Sequence, residues 1–316
     1  QWLGVLPIVF GLGWLAARWE KRLEDMEDDV AQQKKQRSTF RGLNLLLNEQ
    51  PDKAIDALVE VAKLDPETTE LHFALGSLFR RRGETERAIR VHQHLVGRDD
   101  IAARDRAHAG YELGRDFLRA GMLDRAEASL NQVGDGRYLI PAKVALLEMY
   151  QIEKDWRKAI IAASELAQLE KKDYQDQIAQ FDCEIALEAM RRQDLVASHL
   201  ALDHAFIAVP EHIRATILRG EVYILGQRPK EAITTWKLIE EKYPAFLHLV
   251  ADQWILAHQE LGQEFVGLER LVAQLPEHGW GELLDIVYKH VLRLQGAESA
   301  ELLMSQVLLK TPTLTV

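Results

Sequence analysis

From about residue 40 to the C-terminus, small and bulky apolar residues recur at fixed intervals among polar ones. Gly42, Ala54 and Pro66 stand 12 and 12 residues apart, and 34 residues later come Gly76 and Ala88, with Asp100 in the proline slot. Gly114 and Ala126 keep the same spacing, and Ala159 takes the second small position of the next unit. Ala186, Ser198 and Pro210 then recur 34 residues on as Gly220, Ala232 and Pro244. A period of this length predicts one structural unit stacked many times. Leu75, Phe79, Leu113, Phe117, Tyr150, Tyr223 and Trp236 fill the bulky positions between and are read as core packing. No alternating β-branched run is long enough to demand a strand, so the pattern predicts an all-α chain.

The pattern resembles the tetratricopeptide repeat (TPR), and the resemblance covers residues 35–314. It implies a superhelical solenoid of about eight repeats, at 35–68, 69–102, 107–140, 140–173, 179–212, 213–246, 247–280 and 281–314. The third and fourth overlap by one residue, and insertions of four or five residues fall near 103–106 and 174–178. The seventh is degenerate, with Trp254 where a small residue belongs. The eighth and twentieth positions are where the two helices of a repeat cross. A small side chain there lets the axes approach to about 8–10 Å. Pro66, Pro210, Pro244 and Pro312 fall after the second helix, and Pro51 and Pro229 in the turn between helices. Most prolines thus avoid helix interiors, where each would cost about 3 kcal/mol.

The N-terminus follows a different pattern. Residues 1–17 carry no charge, and Arg18, Lys21 and Arg22 follow at once. Trp2, Trp14 and Trp19 lie in or beside this run, as amphipathic rings do at a membrane interface. Residues 1–19 are therefore expected to form a transmembrane helix, at the short end of the spanning range. The basic flank places the C-terminal side in the cytoplasm. A cleaved signal peptide and a buried helix are the alternatives, though a signal peptide carries its basic residues before the apolar run. Residues 20–34 read as a charged helical spacer. Trp19, Leu23, Met26 and Val30 add a short heptad-like stripe, so a homodimeric coil is an alternative for this stretch.

Charge and composition narrow the function. The formal net charge of -10 opposes nucleic-acid binding, which needs a basic footprint. A single cysteine, Cys183, excludes an intrachain disulfide framework and a cysteine-based zinc ribbon, and it reads as a buried apolar thiol. There is no P-loop, HExxH or G-x-S-x-G, and His92 with His94, or His199 with His204, are poorly spaced to share a metal on a helix. No catalytic residue, cofactor or metal is expected in this chain.

In a TPR the first helices line the concave side, with positions 2, 5, 9 and 12 facing it. In repeat two these are Glu70, Phe73, Ser77 and Arg80; in repeat three, His108, Tyr111, Arg115 and Leu118. Phe73, Arg80, Tyr111, Arg115 and Arg119 are taken as a candidate partner-binding surface, since arginine and aromatics are favoured interface anchors. The alternative is that these arginines are solvated or paired with acids such as Glu84, Glu86 and Asp116.

Two segments go beyond a generic repeat: LHFALGSLFRRRGETERAIRVHQHL at 71–95 and ELGRDFLRAGMLDRAEASL at 112–130. With the apolar N-terminus, the charged spacer, FRGLNLLLNEQPDKAID at 40–56 and FDCEIALEAM at 181–190, they resemble the LapB family of lipopolysaccharide assembly proteins. That resemblance implies an inner-membrane adaptor of Gram-negative bacteria with cytoplasmic repeats. It further implies protein partners: the LpxC deacetylase, the FtsH membrane protease that degrades it, and a lipopolysaccharide-sensing membrane regulator. One departure is clear. The family's rubredoxin-like module, with two C-x-x-C pairs, has no counterpart here, where Cys183 is the single cysteine. A membrane-anchored scaffold for envelope assembly or cell division, with no role in proteolysis, is the alternative function. Removal of residues 1–19 should release the protein from membranes without unfolding the repeats. A C-terminal reporter should read cytoplasmic; a periplasmic reading would contradict the orientation.

Overall fold

The computed structural model describes Ile55, Leu58 and Val59 and residues 68–134, 136–278 and 281–310. The expected membrane helix at 1–19, the spacer at 20–34, and Gly42 and Ala54 of the first repeat lie outside the described residues. Among the described residues there are fourteen α-helices, one 3-10 helix and no strand. No described helix is long and apolar enough to cross a membrane.

The helices form seven consecutive pairs: α1 (Thr69–Arg81) with α2 (Thr85–Val96), α3 (Ala103–Arg119) with α4 (Leu123–Asn131), α5 (Leu139–Glu153) with α6 (Trp156–Glu170), α7 (Gln175–Arg191) with α8 (Leu195–Ala208), α9 (Ile213–Leu225) with α10 (Pro229–Lys242), α11 (Ala251–Glu260) with α12 (Glu264–His278), and α13 (Glu282–Gln295) with α14 (Ala297–Lys310). A 3-10 helix, Pro244–Leu249, precedes α11. The chain divides into two compact units, with the boundary between Met149 and Tyr150.

The insertions near 103–106 and 174–178 do not become loops. They supply the first turn of α3 and α7, which reach 17 residues against 13 in α1 and α9. Four residues are close to one helical turn, so each insertion lengthens a helix without rotating its buried face far.

Each pair is joined by a tight turn. One residue in each turn has a positive φ: Gly83, Gly121, Lys154, Gln193, Gln227, Gly262 and Gly296. In the first six, two backbone bonds close the helix end. At the first, Gly83 N donates to Arg80 O at 3.1 Å and Glu84 N to Phe79 O at 2.9 Å; at the fifth, Gln227 N donates to Ile224 O and Arg228 N to Tyr223 O. This is the Schellman closure, which satisfies carbonyls a helix end leaves open.

The crossings are close because side chains are missing. Gly76, Ala88, Gly114, Ala126, Ala159, Ala186, Gly220 and Ala232 are all buried. A Cβ at Gly76 would lie 2.3 Å from the His92 ring, one at Gly114 2.5 Å from Leu130, and one at Gly220 2.1 Å from Trp236. Ser198 Oγ, at the corresponding crossing of α7 and α8, donates to Ala186 O at 3.4 Å. The degenerate pair α11–α12 solves the same problem in reverse. Trp254 is fully buried, and Gly267 on the second helix gives way, its absent Cβ leaving room for the His258 ring 2.7 Å away.

In the first unit Ile55, Leu58, Leu71, Leu75, Leu78, Phe79 and Ala88 form one cluster. In the second, Trp236 and Trp254 anchor another with Leu268, Leu271 and Val287. Cys183 is fully buried, and burial pushes its thiol up to about 12, which leaves it unreactive at neutral pH.

Two glycine substitutions should have opposite signs. Trp236 cannot retreat, because it is fully buried and its Nε1–H donates to Ile217 O at 3.1 Å. Gly220→Ala should therefore destabilise by about 1–3 kcal/mol. At Gly110 an added Cβ meets only Val133 Cγ2, at 3.7 Å. Gly110→Ala should be neutral or stabilise by up to about 1 kcal/mol, through helix propensity alone. Chemical denaturation of the two variants checks this.

Candidate functional site

In the first unit, α1 and α3 present their first-helix faces side by side, and aromatic rings bridge them. Phe73 of α1 stacks on His108 of α3, with centroids 3.9 Å apart. His108 stacks on Tyr138, just before α5, at 4.3 Å and 6°. Tyr138 also meets Tyr111, one turn beyond His108, at 5.6 Å. Two successive repeats thus contribute to one continuous aromatic column. Cations edge it: the Arg115 guanidinium lies 5.6 Å over Tyr111, and Arg137 lies 4.7 Å over Tyr138 while donating to its hydroxyl at 2.7 Å. Burial holds His108 below the ordinary histidine range against the opposing charge of Glu112, and Arg137 and His92 lower it further. The ring is then neutral at neutral pH and behaves as a stacking surface.

Beneath the column lies a buried ionic cluster. Arg80 reaches from α1 to α3, where Nη1 donates to Asp116 Oδ1 at 2.6 Å and Nη2 donates to Glu112 Oε2. His92 of α2 reaches the same acid, its Nδ1–H donating to Asp116 Oδ2 at 2.5 Å. Asp116 and His92 are fully buried. Burial pushes the Glu112 carboxyl up, but the charge and hydrogen bond of Arg80, with help from Arg115, hold it below the ordinary carboxylate range. His92 Nε2 is buried without a hydrogen-bond partner, because the ring edge rests on the bare backbone of Gly76.

The five expected surface residues therefore separate into two roles. Phe73 and Tyr111 do not touch each other directly but are joined through His108 and Tyr138. Arg115 is half-exposed, with its nearest acid Glu112 at 3.5 Å, and Arg119 is exposed one turn further along α3. Arg80 is different: only 14% of its side chain is exposed, and internal carboxylates hold both of its terminal nitrogens. Its position ties α1 to α3. Tyr138 and Arg137 were not picked out from the sequence. The available signal was a departure from the pattern, since Tyr138 fills the slot after a second helix where other repeats carry proline.

Among the described residues no group of three or more His, Cys, Asp or Glu side chains could hold a metal ion. The arrangement holds no nucleophile next to a base. It offers stacking area and guanidinium groups, the chemistry of a protein-docking face.

Residues 41–99 match the tetratricopeptide repeat family. With seven consecutive helix-turn-helix units, several of them crossing at small residues, the chain is a tetratricopeptide-repeat protein. It is 31% identical over 313 residues to lipopolysaccharide assembly protein B of Escherichia coli K12, covering 99% of this chain and 80% of that one. It is 28% identical over 268 residues to the protein of the same name from Haemophilus influenzae, covering 82% of this chain and 67% of that one. The chain belongs to the lipopolysaccharide assembly protein B family. It is also similar to the crystal structure of a tetratricopeptide repeat protein from Parabacteroides merdae, at 12% identity and a TM-score of 0.31, over 87% of this chain and 92% of that one.

Arg80→Ala should destabilise the first unit by about 3–5 kcal/mol, because it leaves Glu112 and Asp116 buried without their cation. The pH dependence follows from Glu112, whose folded value is depressed. Its contribution is present above the ordinary carboxylate range and is lost as pH falls through the lower folded value. Denaturant titrations at pH 7 and pH 3 should show the wild type losing stability at the acid end, and Arg80→Ala losing less.

Proposed function

We propose that this chain is an inner-membrane-anchored adaptor. Its cytoplasmic repeats would hold the LpxC deacetylase and present it to the FtsH protease, limiting lipopolysaccharide synthesis. Family membership supports the setting in lipopolysaccharide assembly. The observation that carries the adaptor reading is the Phe73–His108–Tyr138 column edged by Arg115 and Arg137.

The physics of such an adaptor is effective concentration. An N-terminal anchor confines the repeats to the plane in which the protease sits, so a bound client meets the protease by an intramolecular step. The docking face supplies two kinds of contact. The stacked rings offer rigid apolar area at low entropic cost, and Arg115, Arg119 and Arg137 offer charge-assisted bonds to client carboxylates. The guanidinium fork favours bidentate pairing that lysine cannot match.

Phe73→Ala, Tyr138→Ala and Arg115→Ala should each weaken LpxC binding by about thirtyfold, or about 2 kcal/mol, in a pull-down or calorimetric titration with the full chain. Their melting temperatures should stay near wild type. Depleting the protein should lengthen the LpxC half-life in cells. An unchanged half-life would favour a structural scaffold with no role in proteolysis.

A further inference from the structure

The second unit holds a cavity of about 610 Å³ walled by α6, α7 and α8. Asp182 of α7 lines it and is only 5% exposed. Among the described residues four carboxylates are buried: Glu112, Asp116, Asp182 and Glu240. Arg80 holds the first two, and Arg270 holds Glu240 with Nε at 2.8 Å and Nη2 at 2.5 Å. Asp182 has no hydrogen bond and no ion pair among the described residues. Burial pushes its carboxyl up to about 6, with the charge of His204 opposing. A buried acid without a cation is costly to keep, and no packing role requires one here.

The surroundings say what would match it. Ile160 of α6, Ile178 and Ile185 of α7, and Ile207 of α8 line the same cavity, and Ile207 is 79% exposed. An apolar sleeve that leads from the surface to a lone carboxylate fits a long alkyl stem with a cationic head. We propose that this cavity receives a lysine or arginine side chain from a partner protein, its stem against the isoleucines and its charge on Asp182. The other charged groups facing Asp182 are Arg157 from α6 and His204 from α8, both at the solvent edge. On α9, Arg214 is engaged by Glu184 at 2.6 Å. The pairing would draw on the same logic as the first unit, where a guanidinium from one helix meets acids of another. Here the cation would come from outside. The site carries charge opposite to that of the Arg115 face, so it selects a different segment of a partner and stands independently of the adaptor reading.

The test uses the full chain with labelled isoleucine methyl groups and two small probes, n-butylguanidinium and its neutral analogue n-butylurea. At pH 7.5 butylguanidinium should shift the cavity isoleucine signals saturably at about millimolar concentration, and butylurea should not. Asp182→Asn should weaken binding about tenfold or more. Lowering the pH to 5 should also weaken binding to the wild type, and His204→Ala should keep that dependence, which assigns it to the acid. The absence of a saturable shift, equal binding of butylurea, or wild-type affinity in Asp182→Asn would overturn the proposal. Should Asp182→Asn fail to fold, the pH comparison between wild type and His204→Ala decides alone: a dependence lost with His204 overturns it.

Discussion

In three of the seven described pairs a bulky residue of the second helix presses on a first-helix backbone that lacks a Cβ, and the close crossing of those pairs depends on this contact. His92 rests on Gly76, Leu130 on Gly114, and Trp236 on Gly220, each closer than a real Cβ would allow. Where the first helix carries Trp254, the omission moves to Gly267 of the second. The axes approach in either case, and the bulky partner is buried completely. Interior packing at crystal-like density leaves no slack for an added methyl at such a point. The crossing therefore sets both the register of each pair and the direction in which the next first helix is presented.

The aromatic column of the first unit inherits its order from that crossing. Because Gly76 lets His92 lie flat, the imidazole can reach Asp116 of the next repeat. Arg80 comes to the same acid from the other side. Two repeats are thereby pinned by charge as well as by apolar contact, and α1 and α3 hold a fixed relation. Phe73 and His108 can then stack at 3.9 Å on a frame that is already fixed. Preorganisation of this kind lowers the entropic cost of binding. One buried network thus serves stability and, at one remove, the order of the aromatic column.

Much of this was legible in the sequence. The 34-residue period marked the helix pairs, and the family segments at 71–95 and 112–130 marked the relatives. Four things were not legible, each for a physical reason. The insertions near 103–106 and 174–178 extend α3 and α7 because four residues make nearly one turn; spacing alone marks an insertion and not the structure it takes. The fate of Arg80 depends on which acids lie 32 and 36 residues away, a relation that only the stacking of α1 on α3 creates. Tyr138 joins the column through a proline slot left vacant, and a template scores that as noise. The turns were hidden as well, since Lys154, Gln193 and Gln227 adopt the left-handed conformation that Gly83 and Gly121 adopt at the equivalent place.

Hydrogen exchange on the full chain, with and without LpxC, tests the central claim most directly. If the first-helix face of the first unit is the client site, bound LpxC should slow exchange in α1, in α3 and in the segment around Tyr138, and leave α9 to α14 unchanged. Protection confined to residues 150–310, or none anywhere, would contradict the account.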